Sequence, residues 1–164
     1  MKKLFILFLL FSSLAFGQDE QSIYGTSNTP YGVKYIDADS VTVLSVIGTY
    51  YAVALADGIS KDVTQTDDST FTVVKAGIYH VSISASFTHE TNSTIVHFSV
   101  FVDDIEDASI ECQRKIGNGG DVGSAGNSGL ISLAVGEEVK VKAKGDTTGD
   151  LTVSHMNFNV FRIK

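Results

Sequence analysis

The feature that most constrains the fold is a two-residue alternation of apolar and polar side chains. It is clearest between Gly77 and Phe87, where the apolar and polar sets interleave without a break. The apolar set is Tyr79, Val81, Ile83, Ala85 and Phe87, and the polar set is His80, Ser82, Ser84 and Ser86. Successive side chains of a β-strand point to opposite faces, so this pattern predicts a strand with one face in the core.

The same alternation recurs at residues 94–102 and at residues 139–144, where Lys140, Lys142 and Lys144 separate the apolar positions. Strands are also predicted at 33–37, 41–47, 50–55 and 70–75, because Val, Ile, Thr, Phe and Tyr dominate these runs. The Asp/Ser/Thr-rich residues 57–69 and the glycine-rich residues 117–127 are predicted to be connections. After the first 17 residues no segment keeps helical spacing, so the chain is predicted to be all-β and antiparallel.

The first 17 residues have the composition of a secretory signal peptide. Lys2 and Lys3 precede a short apolar run, and the triplet Ala15-Phe16-Gly17 precedes the polar Gln18. The apolar run is shorter than the roughly 20 residues that span a bilayer, so we predict cleavage before Gln18, with an uncleaved anchor as the alternative. We therefore expect a signal peptide at 1–17, a flexible arm at 18–32 and one folded domain at 33–164, secreted or at the cell surface, or else periplasmic.

The net charge expected after removal of the signal peptide limits the classes of partner that the chain can bind. The full sequence has 12 basic and 19 acidic residues; removal of Lys2 and Lys3 leaves 10 basic residues and a net charge of −9. Such a chain is repelled by phosphate backbones and anionic lipid head groups, so neither nucleic acid nor a membrane surface is an expected partner. Cys112 is the one cysteine and is expected to be a buried apolar residue, with an intermolecular bridge or a reactive thiol as alternatives.

The last predicted strand, 151–164, breaks the alternation. Leu151 and Val153 share one parity, Met156 and Phe158 the other, and Phe161 and Ile163 return to the first. A bulge near Ser154 would shift the register, whereas a strand covered on one side by the core and on the other by a second subunit would also account for Phe161 and Ile163. The second explanation predicts an oligomer.

Several segments, taken in order, resemble the C1q/tumour-necrosis-factor-like jelly roll. The first, Phe71 to Tyr79, contains the Ala76-Gly77-Ile78-Tyr79 stretch that is similar to the start of a long inner strand in that family. The second, Phe98 to Asp104, resembles the strand that ends in a family hairpin. The third, Ser128 to Val141, resembles the family's Leu-x-x-Gly-Asp-x-Val signature, with Glu137 in the place of the Asp, and a Phe-containing strand closes the chain.

The resemblance covers roughly residues 50–164 and implies an antiparallel jelly-roll sandwich of about ten strands that assembles as a homotrimer. It also implies aromatic side chains near the three-fold axis and ligands bound by loops or subunit grooves. The trimer interface is accordingly expected at Met156, Phe158, Phe161 and Ile163. Bacterial and phage proteins of this type serve as receptor-binding or adhesive tips.

Candidate chemical sites are few. The histidines are scattered, no Gly-x-Ser-x-Gly elbow is present and Ser124 lacks the strand-to-helix context, so no catalytic residue and no enzyme activity are predicted. Hard carboxylates suit calcium, and the candidate calcium ligands are Asp103, Asp104, Glu106 and Asp107, with a solvated acidic hairpin as the alternative. No other cofactor is expected. The three alternating lysines are predicted to form a solvated or edge-protecting face.

The favoured function is a secreted or surface-associated binding and adhesion module that is not catalytic and self-associates as a trimer. An alternative is a structural component of a larger assembly, such as a virion or appendage tip. A second alternative is a carbohydrate-binding or hydrolytic accessory domain, because sandwich folds host both activities. The ligand, a protein or a glycan, is not identified by the sequence.

Overall fold

A computed structural model describes residues 29–164, and every regular element within that range is a β-strand. Twelve strands form two six-stranded antiparallel sheets, which confirms the prediction of an all-β sandwich. The predicted signal peptide and most of the predicted arm, residues 18–28, lie outside the described residues. No helix within 29–164 is long and apolar enough to cross a membrane.

Sheet 1 has the strand order β10-β7-β12-β1-β4, and β2 pairs with the first half of β12. Its strands are β1 (Tyr31–Ile36), β2 (Ser40–Leu44), β4 (Ala56–Lys61), β7 (Gly77–His89), β10 (Gly123–Leu133) and β12 (Gly149–Arg162). Sheet 2 has the order β5-β6-β11-β8-β9, and β3 pairs with β11. Its strands are β3 (Tyr51–Ala52), β5 (Val63–Gln65), β6 (Thr70–Val73), β8 (Ile95–Val102), β9 (Ile105–Lys115) and β11 (Glu138–Gly145).

The core lies between the two sheets and contains the apolar set that the alternation singled out. Tyr79 and Phe87 on β7 are fully buried, as is Phe98 on β8. The rings of Phe87 and Phe98 meet edge to face across the sandwich, with their centroids 5.0 Å apart. The inward faces of β7, β8 and β11 therefore match the parity predicted from the sequence.

Several predicted boundaries differ from the structure. Strand β1 begins at Tyr31, so the last two residues of the predicted arm belong to the sheet; Gly32 lies so close to the ring of Phe71 that an added Cβ would be 2.7 Å from Cε1. The predicted connection at 57–69 contains most of β4 and all of β5. The predicted glycine-rich loop at 117–127 ends earlier, because β10 starts at Gly123 and pairs along β7.

A β-bulge explains the broken alternation in β12. Val153 lies opposite Phe87 and His155 opposite Ser86, so Ser154 has no partner on β7. Because of the extra residue, the apolar side chains before and after Ser154 all face the core. Met156 and Phe158 are 1% and 0% exposed. The prediction that these two side chains form a trimer interface is therefore wrong, because they are buried within a single protomer.

A fully buried lysine joins three segments at the β4 edge of sheet 1. The ammonium group of Lys34 on β1 donates to the carboxylate of Asp57 on β4 and to the main-chain carbonyl of Asp67. Its Nζ lies 5.6 Å from the centroid of the Phe71 ring. The sequence did not predict that Lys34 is buried, because the strand at 33–37 was predicted only from the apolar residues on either side of Lys34.

Candidate functional site

The outward faces of the two sheets differ in how many of their side chains form ion pairs and ring contacts with one another. On sheet 2 the three alternating lysines lie on β11, a central strand, so of the two predicted roles, a solvated face or a protected edge, the second is wrong. Lys142 donates to Oδ1 of Asp104 at 2.8 Å, and Lys140 pairs with Asp104 at 3.4 Å and with Glu138 at 3.0 Å. These ion pairs hold the lysine side chains against the sheet and partly bury them.

Aromatic side chains complete the cover of sheet 2. The Tyr50 ring packs edge to face on Phe101, with centroids 4.9 Å apart, and its hydroxyl donates to Glu106 at 2.6 Å. Lys144 lies over the Tyr50 ring, with its Nζ 4.3 Å from the centroid. Burial, the hydrogen bond and the charge of neighbouring carboxylates raise the pKa of the Tyr50 phenol. The outward face of sheet 2 is thus covered by its own side chains.

The outward surface of β10, β7, β12 and β1 in sheet 1, here called the open face, has no such cover. Its middle is built from two rows of residues that lie side by side across the strands. The first row is Ser128, Ser82, Asn159 and Val33, and the second is Gly126, Ser84, Asn157 and Tyr35. Small side chains on three of the four strands make this part of the sheet flat.

An apolar row borders the small side chains at the end of the sheet that holds the described chain ends, Thr29 and Lys164. It runs across the strands as Leu130, His80, Phe161 and Tyr31. The rings of Tyr31 and Phe161 have centroids 6.3 Å apart. Because neighbouring strands lie about 4.8 Å apart, this row spans about 14 Å. We call these four residues the apolar row.

The apolar row is exposed in the protomer. Leu130 is 60% exposed and Phe161 39%, and Ile163, which follows on the same side of the chain, is 58% exposed. Ile78 adds a further partly exposed aliphatic side chain beside them. Contiguous apolar surface on a sheet face is typical of an interaction site. Of the four residues predicted for the subunit contact, Phe161 and Ile163 thus lie on this surface.

Charged groups are missing from the centre of the open face. Among the outward positions of β7 and β10, and of β12 from His155 to Phe161, no Asp, Glu, Lys or Arg occurs. The side chain of Asn159 donates to the Ser82 hydroxyl at 3.3 Å, which joins β12 to β7. The face therefore offers a flat polar centre and an apolar border, without ions that would need to lose water when covered.

The four predicted calcium ligands lie on or beside the β8–β9 hairpin but each has a different partner. Asp103 and Asp104 form its turn with positive φ angles of 48° and 64°. Asp103 accepts from the Glu138 amide at 2.9 Å, and Asp107 accepts from the Ser109 hydroxyl at 2.6 Å. Asp104 and Glu106 are held by Lys142 and Tyr50, and the hydrogen bond from Lys142 lowers the pKa of Asp104. Within residues 29–164 no group of three or more His, Cys, Asp or Glu side chains is arranged to hold a metal ion.

The remaining singled-out side chains are dispersed. His80 on β7 and His97 on β8 lie in different sheets, and His97 pairs with Glu111 at 2.7 Å. Ser124 lies on β10, where no hydrolase-like turn from strand to helix exists. Cys112 is 9% exposed, and burial together with the charge of Glu111 raises the pKa of its thiol to about 11. Its position fits the predicted buried apolar residue.

The sequence reasoning did not identify His80, Leu130 or Tyr31 as parts of one surface. They are distant in the chain and become neighbours through the pairing of β10, β7, β12 and β1. The one signal in the sequence was the parity of each strand, which places His80 on an outward position of β7. Parity alone does not say which strands are adjacent.

The chain matches no protein-family model and no curated protein sequence. Its fold is similar to solved structures. The globular domain of zebrafish complement 1qA has a TM-score of 0.57 at 14% identity, over 82% of this chain and 98% of that one. Murine APRIL at pH 8.0 has a TM-score of 0.58 at 14% identity, over 81% and 99%. Eiger TNF from S. frugiperda has a TM-score of 0.59 at 12% identity, over 82% and 94%.

These likenesses concern the fold, since 12–14% identity carries no further inference. They extend over almost the whole length of each of the three solved structures. Residues 29–164 therefore adopt the C1q/tumour-necrosis-factor-like jelly-roll fold that the sequence motifs predicted.

Proposed function

We propose that this protein is an exported, non-catalytic binding and adhesion module that self-associates as a homotrimer through the open face of sheet 1. The observation that carries this proposal is the contrast between the two outward faces. Sheet 2 covers its outward face with ion pairs and aromatic side chains, whereas sheet 1 leaves the apolar row exposed beside flat, uncharged rows of Ser, Gly and Asn.

Physical chemistry favours a subunit contact on such a face. Removal of apolar surface from water contributes about 25 cal/mol per Å², and the apolar row supplies that surface. Small side chains permit close approach, and the absence of charges in the centre avoids the desolvation cost that ions impose. The number of three subunits rests on the C1q/tumour-necrosis-factor-like resemblance, and export rests on the leader at 1–17.

The ligand is proposed to be a protein or a glycan that binds at the end of the sandwich remote from Thr29 and Lys164. Three connections with mostly exposed or partly exposed residues meet there, at 90–94, 117–122 and 146–148, and hydrogen bonds join them. One of these joins the Gly119 amide to the Asn92 side chain at 2.5 Å. Loops held by a rigid scaffold are common binding sites.

The test is the solution mass of residues 18–164, measured by light scattering at micromolar concentration. We expect a trimer, and Leu130→Asp should yield a folded monomer because it places a carboxylate in the apolar row. Val135→Asp is the matched control: Val135 is 66% exposed against 60% for Leu130 but lies in a turn outside the open face.

Other results would contradict parts of the proposal. A monomeric parent chain would reject self-association, and a trimeric Leu130→Asp variant would place the contact on another surface. Calcium at millimolar concentration should leave the mass unchanged, because each predicted calcium ligand already accepts from a separate donor. A mass that depends on calcium would support the predicted calcium site.

A further inference from the structure

A cavity of about 350 Å³ opens at the edge of the sandwich that β9 and β10 form. These are outer strands of sheet 2 and sheet 1, and the Asn127 side chain joins them by donating to the Glu111 carbonyl at 2.9 Å. The cavity lies beyond this bond, between the start of β9 and the end of β10. Its volume falls in the range of small-molecule sites, about 300–1,000 Å³.

A bulge in β9 shapes this edge of the sandwich. Asp107 and Glu111 lie opposite two adjacent residues of β8, so residues 108–110 have no partner on that strand. Ile110, inside the bulge, is fully buried and packs on Gly129 of β10, where an added Cβ would be 2.8 Å from its Cγ1. The two sheets are therefore closed off at Ile110, and the cavity lies next to the bulge.

The walls of the cavity are apolar. Val102 at the end of β8, Ile105 at the start of β9 and Ile131 on β10 line it. Ile131 is buried, whereas Ile105 is 75% exposed. A ligand with an aliphatic segment would remove the exposed Ile105 surface from water, which favours binding.

Three carboxylates also line the cavity, those of Glu106, Asp107 and Glu137. One oxygen of each accepts from an uncharged donor: the Tyr50 phenol, the Ser109 hydroxyl and a main-chain amide, at 2.6, 2.6 and 2.8 Å. The second oxygen of each has no donor within residues 29–164. No lysine or arginine of that range forms an ion pair with any of the three.

The lysines of β11 do not neutralise these carboxylates, because they are paired with others. Lys140 and Lys142 both pair with Asp104, and Lys140 also pairs with Glu138. The cavity thus combines apolar walls with three negative charges that lack a positive partner in the described part of the chain. The complementary ligand is a cation with an aliphatic body.

We propose that this cavity binds an aliphatic polyamine, a chain of methylenes that carries two or three ammonium groups. The ammonium groups donate to the second oxygens of the lining carboxylates in charge-assisted hydrogen bonds. The methylenes between them lie on Val102, Ile105 and Ile131. A single metal ion fits less well, since within residues 29–164 no group of three or more His, Cys, Asp or Glu side chains is arranged to hold one.

Isothermal titration calorimetry of residues 18–164 with spermidine, a triamine, tests this inference. We expect saturable binding of spermidine and none of octanediol, an aliphatic chain of similar length without the charges. Glu137→Gln should weaken spermidine binding about tenfold or more, because it removes one charge and keeps an oxygen for the Ala134 amide. Asp121→Asn is the matched control: Asp121 also accepts from a main-chain amide, at 3.0 Å, but lies in the connection at 117–122.

A second pair of variants tests the apolar wall. Ile105→Ser should weaken spermidine binding by at least about threefold, because the methylenes lose an aliphatic contact. Val122→Ser is its matched control, since Val122 is 73% exposed against 75% for Ile105 and lies away from the cavity. Circular dichroism of each variant checks that the fold is kept.

The remaining outcomes overturn the inference. Spermidine that does not bind saturably rejects the site, and equal weakening by Glu137→Gln and Asp121→Asn assigns binding to the net charge of the chain. Calcium that competes with spermidine and is itself weakened by Glu137→Gln assigns the cavity to an inorganic cation. A monomeric chain that binds spermidine contradicts the proposed function and leaves this inference intact, because the cavity is separate from the open face.

Discussion

Deletion of Ser154 should be tolerated, although Ser154 lies inside β12, the longest of the strands within residues 29–164. Its neighbours Val153 and His155 are opposite Phe87 and Ser86, which are themselves adjacent on β7. Removal of Ser154 therefore joins two residues whose partners already follow one another. The rest of β12 keeps its pairing, and the strand becomes a regular alternation of inward and outward side chains.

The expected cost is small because one contact is lost. The Ser154 hydroxyl donates to the Ser86 carbonyl at 3.2 Å, and a hydrogen bond of this kind contributes about 0.5–1.5 kcal/mol net. Deletion of Asn157 is the matched control, since Asn157 has a partner, Ser84. That deletion turns Phe158 and Val160 away from the core, and each buried side chain contributes about 1.5–3 kcal/mol.

The control should therefore lose about 3–6 kcal/mol, which is comparable to the 5–15 kcal/mol that stabilises a typical domain. Urea unfolding followed by circular dichroism measures both variants. We expect the Ser154 deletion to unfold within about 1.5 kcal/mol of the parent chain and the Asn157 deletion to be unfolded or close to it. Equal destabilisation by the two deletions would refute the bulge as the cause of the broken alternation.

Three further predictions concern single side chains. Gly32→Ala should destabilise the fold by about 1–3 kcal/mol through its contact with Phe71, whereas Gly117→Ala, which has room for a Cβ, should change the unfolding free energy by less than about 0.5 kcal/mol. The Cys112 thiol, whose pKa burial raises to about 11, should react with a disulfide reagent only after denaturation; rapid reaction of the native protein would contradict its burial. Burial lowers the pKa of His89, so the unfolded chain binds more protons and the unfolding free energy should fall as the pH drops below about 6.5. His89→Asn should flatten that decline in urea titrations at pH 7 and pH 5, and an unchanged slope would assign it to other groups.

The parts of the fold that were predictable are those in which one face of a strand is buried. Strands β7, β8 and β11 show the alternation because the core selects every second side chain. Strand β4 was missed, since it is an edge strand whose residues, Ala56 to Lys61, are mostly exposed and leave no alternation. Strand β10 was partly missed because Gly and Ser fill its first half, and its strand structure comes from pairing with β7.

The open face was less predictable for a different reason. Leu130, His80, Phe161 and Tyr31 are spread over most of the chain, and only strand order brings them together. Phe161 and Ile163 could be predicted to lie at a surface contact because they depart from the core parity of β12. Met156 and Phe158 were wrongly predicted to lie at the subunit interface, because a single bulge residue reverses the parity of the residues that follow it. The sequence does not mark which residue is extra.

The charge of the chain bears on where subunits can meet. The full sequence has a net charge of −7, so copies of the chain repel one another and association requires a contact that keeps carboxylates apart. On β7 and β10 no acidic residue takes an outward position, and on β12 the nearest is Asp150, at the far end of the strand from the apolar row. Sheet 2, by contrast, carries Asp104, Glu106, Glu111 and Glu138 around its lysines. The distribution of acidic residues thus favours the proposed contact through the open face, because two copies that approach through it bring fewer carboxylates together than two copies that approach through sheet 2.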